Sequence, residues 1–369
     1  MQKSFASSRF VPAHPQRTEG YLFVDNARFL SIVCIVLLHT NWFEVDPTPS
    51  LLESAVVALR GFGILTFFVI TAFLMASKMQ KPQFRVLEYY RDRVNRIGKP
   101  YLVWLAVLLS IPFARLILLG KFRLVDIPLE IWHTTFFTAF WYIPVLLFSL
   151  AVMLLLRQHW WKPWFPVAAL GVSGVYGVNQ YFQWFTPIHS FAFFGFLFYM
   201  WLGLWLYRNL ERVQGWVLAL PWWKLLAVVA LGLTLATAEA RLLIHLGSLN
   251  PYDGLRLSNQ IYALICLLVI LKLPWRLSPS FVDVRKDSYG IHLVQVLINI
   301  LGKSAITLAL FALGLDRSFT FFDRVPDYVP NPLLRIAIWF SWFVLVYGIS
   351  LWITQQIRRT RLAWIVGGG

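Results

Sequence analysis

Three ionisable residues interrupt an apolar stretch near the start of the chain: Asp25, Arg28 and His39 in "DNARFLSIVCIVLLHT", residues 25–40. A guanidinium grips phosphate or carboxylate with a fork of N–H donors. An imidazole takes or gives a proton near neutrality, or accepts an acyl group as a nucleophile. Ten residues lie between Arg28 and His39. At about 100° per residue, the eleven-residue step brings them to one helix face, within about 20° of each other and roughly 16 Å apart along the axis. Asp25 lies about 40° away on the same side. Ionisable groups in a membrane span are costly unless they face a protein interior or a water-filled cavity, which makes this trio a functional candidate. A structural reading stands beside it: Arg28 snorkels to the headgroups with Asp25 as its partner, and His39 bonds a neighbouring helix.

The chain that must position these groups has 369 residues, of which 59% are hydrophobic and 14% charged, and its mean hydropathy is +0.64. Soluble domains carry about a quarter charged residues, so the composition indicates an all-α integral membrane protein. About ten spans are expected, at 22–43, 57–77, 100–119, 137–156, 164–180, 190–207, 224–245, 256–272, 288–311 and 333–356. The fifth is diluted by Gly171, Gly174, Gly177 and Asn179. No cleavable signal peptide is expected, because residues 1–20 lack an apolar core; the first span then stays as a signal anchor. The chain divides into an N-terminal segment 1–20, a membrane domain 21–358 and a tail 359–369, whose last three glycines are given no weight. Cys34 and Cys266 both fall in apolar runs and read as buried packing residues. No metal-ligand spacing is present, so no metal is expected.

The formal net charge of +16 gathers in short loops of one parity, which argues against a nucleic-acid partner and for the positive-inside rule. Lys78, Lys81, Arg85, Arg91, Arg93, Arg96 and Lys99 follow the second span. Arg157 and Lys162, then Arg208 and Arg212, then Lys272, Arg276, Arg285 and Lys286, and finally Arg358, Arg359 and Arg361 fall on the same side. The opposite side holds Glu44, Asp46, Glu53, Asp316, Asp323 and Asp327. Both termini are therefore expected in the cytoplasm. Trp42, Tyr101, Trp104, Trp141, Tyr142, Trp222, Trp223 and Trp275 lie near span ends, as in an interfacial belt.

Further candidates are fewer. Glu239 and Arg241 lie in the outer half of the seventh span, where Glu239 faces a cavity and orients His39, or else pairs with Arg241. His133, His189 and His245 lie near outer span ends, within reach of a polar ligand or simply solvated. Trp141 and Tyr142 offer faces for stacking on a ligand or belong to the belt.

Several short stretches, taken in order, resemble the acyltransferase-3 family of integral membrane O-acyltransferases. The first is the Asp, Arg, ten residues, His pattern of Asp25, Arg28 and His39. "GFGILTFFVITAFLM" (61–75) resembles the family's FFxxSGF segment, with Thr71 and Ala72 in place of Ser and Gly. "YYRDRVNRIGKPYLVW" (89–104) resembles its basic loop through Arg91, Arg93, Arg96 and Pro100. "WYIPVLLFSL" (141–150) resembles a Trp-aromatic span start. "DSYGIHLVQ" (287–295) resembles a Ser-Tyr-x-x-Tyr-Leu-x-His stretch in which Ser288 and Tyr289 are kept, and His292 and Gln295 replace the Tyr and the His.

The resemblance implies transfer of an acetyl or other short acyl group from acyl-CoA to a hydroxyl of a surface or secreted polysaccharide, or of its lipid-linked precursor. It places the protein in a bacterial inner membrane, beside proteins of polysaccharide assembly, and its size is similar to stand-alone exopolysaccharide (xanthan-type) O-acetyltransferases. On this reading His39 is catalytic, as a base or as an acyl carrier. Arg28, Arg91, Arg93 and Arg96 bind the phosphates of CoA, and Asp25, Glu239, Trp141, Tyr142, His189, Ser288 and Tyr289 serve the acceptor or support the site. Two rivals are a transporter or flippase of a glycan or lipid intermediate, whose polar residues line a passage, and a regulatory protein on a degenerate acyltransferase scaffold.

Overall fold

The computed structural model describes residues 21–41, 49–313 and 325–368, apart from the side chains of His189, Pro326 and Asp327. Trp42, Glu44, Asp46, Asp316 and Asp323 lie outside the described residues, as do the side chains of His189 and Asp327. The described residues form helices and turns, with no strand. In chain order the helices are α1 (Leu22–His39), α2 (Leu51–Leu59), α3 (Gly63–Met79), α4 (Val86–Arg93), α5 (Lys99–Leu118), α6 (Asp126–Phe136) and α7 (Tyr142–Leu155). There follow α8 (Trp164–Phe182), α9 (Leu197–Ala219), α10 (Trp222–His245), α11 (Leu257–Lys272), α12 (Val284–Ala312), α13 (Val325–Tyr328) and α14 (Pro332–Arg358).

A helix lies at each of the ten expected positions, but six helical stretches among the described residues are long and apolar enough to cross a membrane by themselves. They are Leu22–His39, Leu51–Met79, Val86–Leu118, Trp222–His245, Val284–Ala312 and Pro332–Arg358. A seventh is reached when α6 and the stretch Ala139–Leu155, bent by 80°, count as one broken span. The expected fourth span thus opens on a sharp bend. There Thr138 takes an extended conformation and accepts the Phe140 N–H at 3.2 Å, which caps the new turn and stops α6 from continuing. The expected loop holding Arg208 and Arg212 is also helical. It continues α9 past a kink at Asn209, whose side chain donates to the Trp205 carbonyl at 2.8 Å.

The α1 helix sits at the centre, packed against α3, α11, α12 and α14. It runs parallel to α12 in a fixed register: Arg285 bonds Asp25, and Asn299 donates to the His39 carbonyl at 2.7 Å, both pairs 260 residues apart. The N-terminal end of α1 is pinned as well, since Asn26 donates to the Trp275 carbonyl and accepts the Leu277 N–H, both at 2.9 Å. Helix α3 meets α9 closely at Gly203, where a Cβ would fall 2.1 Å from the Val69 carbonyl oxygen. Outward, Trp132, Trp164, Trp216, Trp223 and Trp352 are exposed, an apolar surface suited to lipid rather than water.

Candidate functional site

A cavity of about 730 Å³ opens among α1, α3, the α4–α5 turn, α7 and α12, within the range of about 300–1,000 Å³ usual for small-molecule sites. Its mouth is basic: Arg28, Arg93, Arg96, Arg285, Lys286 and Arg358 line it. Arg28 comes from α1 and the other five from three stretches that the charge pattern assigns to the cytoplasmic side, brought together only by the fold. Much of the remaining wall is apolar, with Ile35, Phe67, Ile70, Leu74, Ile143, Leu146 and Leu150, and it also carries Thr71, Tyr142, Ser288, Tyr289 and His292.

Local sequence explains each placement. Between α4 and α5 the backbone widens into a π-turn over Val94–Gly98. Pro100 has no N–H and its ring would strike the Arg96 carbonyl in a regular helix; the wider turn relieves this and directs Arg93, Arg96 and Ile97 at the cavity. Tyr289 donates its hydroxyl to the Ile97 carbonyl, tying that turn to α12. The bend before α7 sets Tyr142 at the first position of that helix, 8% exposed and facing the cavity. The Ser288 hydroxyl is spent on the Val284 carbonyl at 2.6 Å. The tail also contributes: Trp104 donates to the Ile365 carbonyl at 2.9 Å, Val366 is fully buried, and Gly367 and Gly368 line the cavity. Gly367 has φ +79 and no room for a Cβ beside Tyr289, so these glycines matter more than the sequence suggests.

The cations differ in what holds them. Arg285 forks onto Asp25, Arg358 is held by the buried Asp287, Lys286 meets Asp283 at 3.1 Å, and Arg96 meets Asp92 at 2.7 Å. Arg28 makes no hydrogen bond to a described residue, and its own neighbour Asp25 is engaged by Arg285. The Arg93 Nε is buried without a hydrogen-bond partner among the described residues, and the guanidinium lies 5.1 Å over the Tyr89 ring. Outside the helices, burial pushes the Asp283 carboxyl up, but the hydrogen bond and charge of Lys286, with Arg358 beside them, hold it below the usual range.

Of the expected site residues, the cavity brings together Arg28, Arg93, Arg96, Tyr142, Ser288 and Tyr289, with Asp25 at its rim. Arg91 is exposed and does not line it. Trp141 packs behind, stacked on Phe196 at 5.8 Å and 3% exposed. His39 is half-buried one helical turn beyond Ile35, the last α1 residue of the cavity wall, and follows it on the same face. Glu239 is taken up elsewhere. It accepts the Leu257 and Ser258 N–H groups at 3.0 and 2.8 Å, capping the start of α11, and binds the hydroxyls of Tyr181 (2.7 Å) and Ser258. Arg241 donates to the Pro49 carbonyl at 3.0 Å instead of pairing with Glu239. His133 stacks on Phe137 at 5.2 Å, and His245 is exposed at the end of α10. No group of three His, Cys, Asp or Glu residues converges as metal ligands among the described residues.

Sequence reasoning missed Arg285, Lys286 and Arg358 as wall residues, because as loop charges they satisfy a topology rule. It also passed over His292 as a mere replacement in a motif. A polar residue on the Ser288 face of a span, one turn on, was the available signal.

Residues 21–355 match the family model described as an acyltransferase domain. No curated protein and no solved structure matches the chain.

Proposed function

Because the chain belongs to this acyltransferase family, a membrane acyltransferase by that membership, we propose that it moves an acetyl or other short acyl group from acyl-CoA to a polysaccharide hydroxyl. The acceptor is a cell-surface or secreted polysaccharide or its lipid-linked precursor, and the membrane is the inner membrane of a bacterium. The observation that carries the donor assignment is the cavity, which sets six cations beside a largely apolar wall. The phosphates of CoA suit such a mouth, since guanidinium forks bind phosphate oxygens in pairs. Arg28 and Arg93 have donors uncommitted to carboxylates and are the first to engage them; Arg96 follows at the rim.

The pantetheine arm and thioester then lie along α1, from Arg28 past Ile35 towards His39. Eleven residues of helix make that path roughly 16 Å long. His39 acts on the acceptor hydroxyl from the far end, by taking its proton or by first carrying the acyl group. The hydroxyl oxygen forms a bond to the carbonyl carbon, the carbon–sulfur bond breaks, and the hydroxyl's proton ends on the departing thiol. Tyr142 and Thr71 line the same cavity.

The test uses the full chain in lipid nanodiscs with radiolabelled acetyl-CoA and a chemically deacetylated exopolysaccharide. Label recovered in ester linkage to the polymer supports the reading. CoA binding absent at millimolar concentration overturns it.

A further inference from the structure

His292 stands out among the cavity's polar side chains. It is 5% exposed, lines the cavity, and finds no hydrogen-bond partner for Nδ1 or Nε2 among the described residues. Ser288 and Tyr289, its neighbours on α12, have already spent their hydroxyls on carbonyls. A buried polar group left unpaired costs about 1–3 kcal/mol. No described residue bonds either ring nitrogen, so the partner of His292 is to be sought in what enters the cavity. The ring is held for that purpose, edge-on against Tyr142 at 5.7 Å and 73°.

Its depth is informative. His292 lies seven residues outward of Arg285 along α12, about 10 Å from the mouth. In the register set by Asp25–Arg285 and His39–Asn299, it stands about 10 Å inward of the His39 level. His39 leans back towards the inner end of α1, as helical side chains do. A donor whose phosphates sit at the mouth therefore brings its thioester to a point between the two histidines, with His292 on the donor's side.

We propose that His292 is a catalytic residue of the transfer, donating a ring N–H to the thioester carbonyl oxygen and holding the oxyanion that forms as the hydroxyl attacks. The inference rests on the acyl-CoA reading above. An imidazole carries at least one N–H whether neutral or protonated, so the role needs no change in its charge. When the tetrahedral species collapses, the electron pair returns from oxygen to carbon, the carbon–sulfur bond breaks, and the thiol leaves towards the basic mouth. His292 gives up no proton. A donor placed where charge develops, in a bore that excludes water, contributes strongly to rate.

Two variants of the full chain in nanodiscs test this: His292→Leu, which removes the N–H, and His292→Gln, which keeps one. Acetyl transfer to deacetylated exopolysaccharide gives kcat, and titration with CoA, which has no thioester carbonyl, gives Kd. The expected result is a fall in kcat of about 10²-fold for Leu, at least tenfold recovery for Gln, and a CoA Kd unchanged within about twofold in both. Wild-type kcat in the Leu variant, or equal losses in Leu and Gln, would overturn the assignment. Failure of the wild-type chain to bind CoA would overturn the underlying reading and this inference with it.

Discussion

Asp25 accepts three hydrogen bonds from Arg285, two from Nε at 3.0 and 3.2 Å and one from a terminal nitrogen at 2.8 Å, and so locks α1 to α12 at the mouth of the cavity. Arg28, one turn further along α1, is left facing the cavity without a hydrogen bond to a described residue. A cation kept at a cavity wall while its nearest carboxylate is engaged elsewhere is poised for an anion.

Arg28→Ala is therefore expected to weaken CoA binding. Loss of one charge-assisted contact, about 1.5–3 kcal/mol, corresponds to a ten- to hundredfold rise in Kd. Isothermal titration with CoA checks this, and an unchanged Kd would return Arg28 to a snorkelling role.

The basic loop separates into residues that line the cavity and one that does not. Arg93→Glu raises the KM for acetyl-CoA by an order of magnitude or more, whereas Arg91→Glu leaves it within about twofold. Side-by-side steady-state kinetics read the contrast. Equal effects would mean that the loop acts only through its bulk charge.

Glu239 gives a prediction of the opposite kind. Glu239→Ala strips the α11 N-terminus, Tyr181 and Ser258 of their shared acceptor, and a loss of roughly 1–3 kcal/mol in stability is expected. The apparent melting temperature in detergent falls, while the KM for acetyl-CoA of the folded fraction stays the same. A raised KM with an unchanged melting temperature would put Glu239 in the substrate path.

Glu53 and Arg335 pair at 2.6 and 2.8 Å with the carboxylate fully buried. Arg335→Met strands that charge and is expected to cost about 3–5 kcal/mol. The double variant Glu53→Gln, Arg335→Met recovers part of the loss, measured by thermal unfolding of the detergent-solubilised protein. A double variant no more stable than Arg335→Met would contradict this.

The first helix was legible because its signal is local. Arg28 and His39 share a face by spacing alone, and Arg93, Arg96, Tyr142, Ser288 and Tyr289 stand in short recognisable stretches. What stayed hidden depends on helices far apart in the chain. The 260-residue register between α1 and α12 decides that Arg285 takes Asp25, and it brings His292 opposite the middle of α1. The same holds for Glu239, whose partners lie 58 and 18 residues away. Apolar composition located a helix at each expected span, although α9 runs on to Ala219 through what reads as a basic loop. It did not foresee the 80° bend before Tyr142 or the break between α2 and α3, which depend on capping and packing.

The central claim is that an acyl-CoA bound at the basic mouth is discharged at the outer end of α1. Radiolabelled acetyl-CoA and deacetylated exopolysaccharide, given to wild type and to His39→Ala in the same nanodiscs, test it most directly, with CoA binding measured on both. The account predicts that His39→Ala binds CoA as wild type does and transfers label at least about 10²-fold more slowly. Transfer by His39→Ala at the wild-type rate would contradict it.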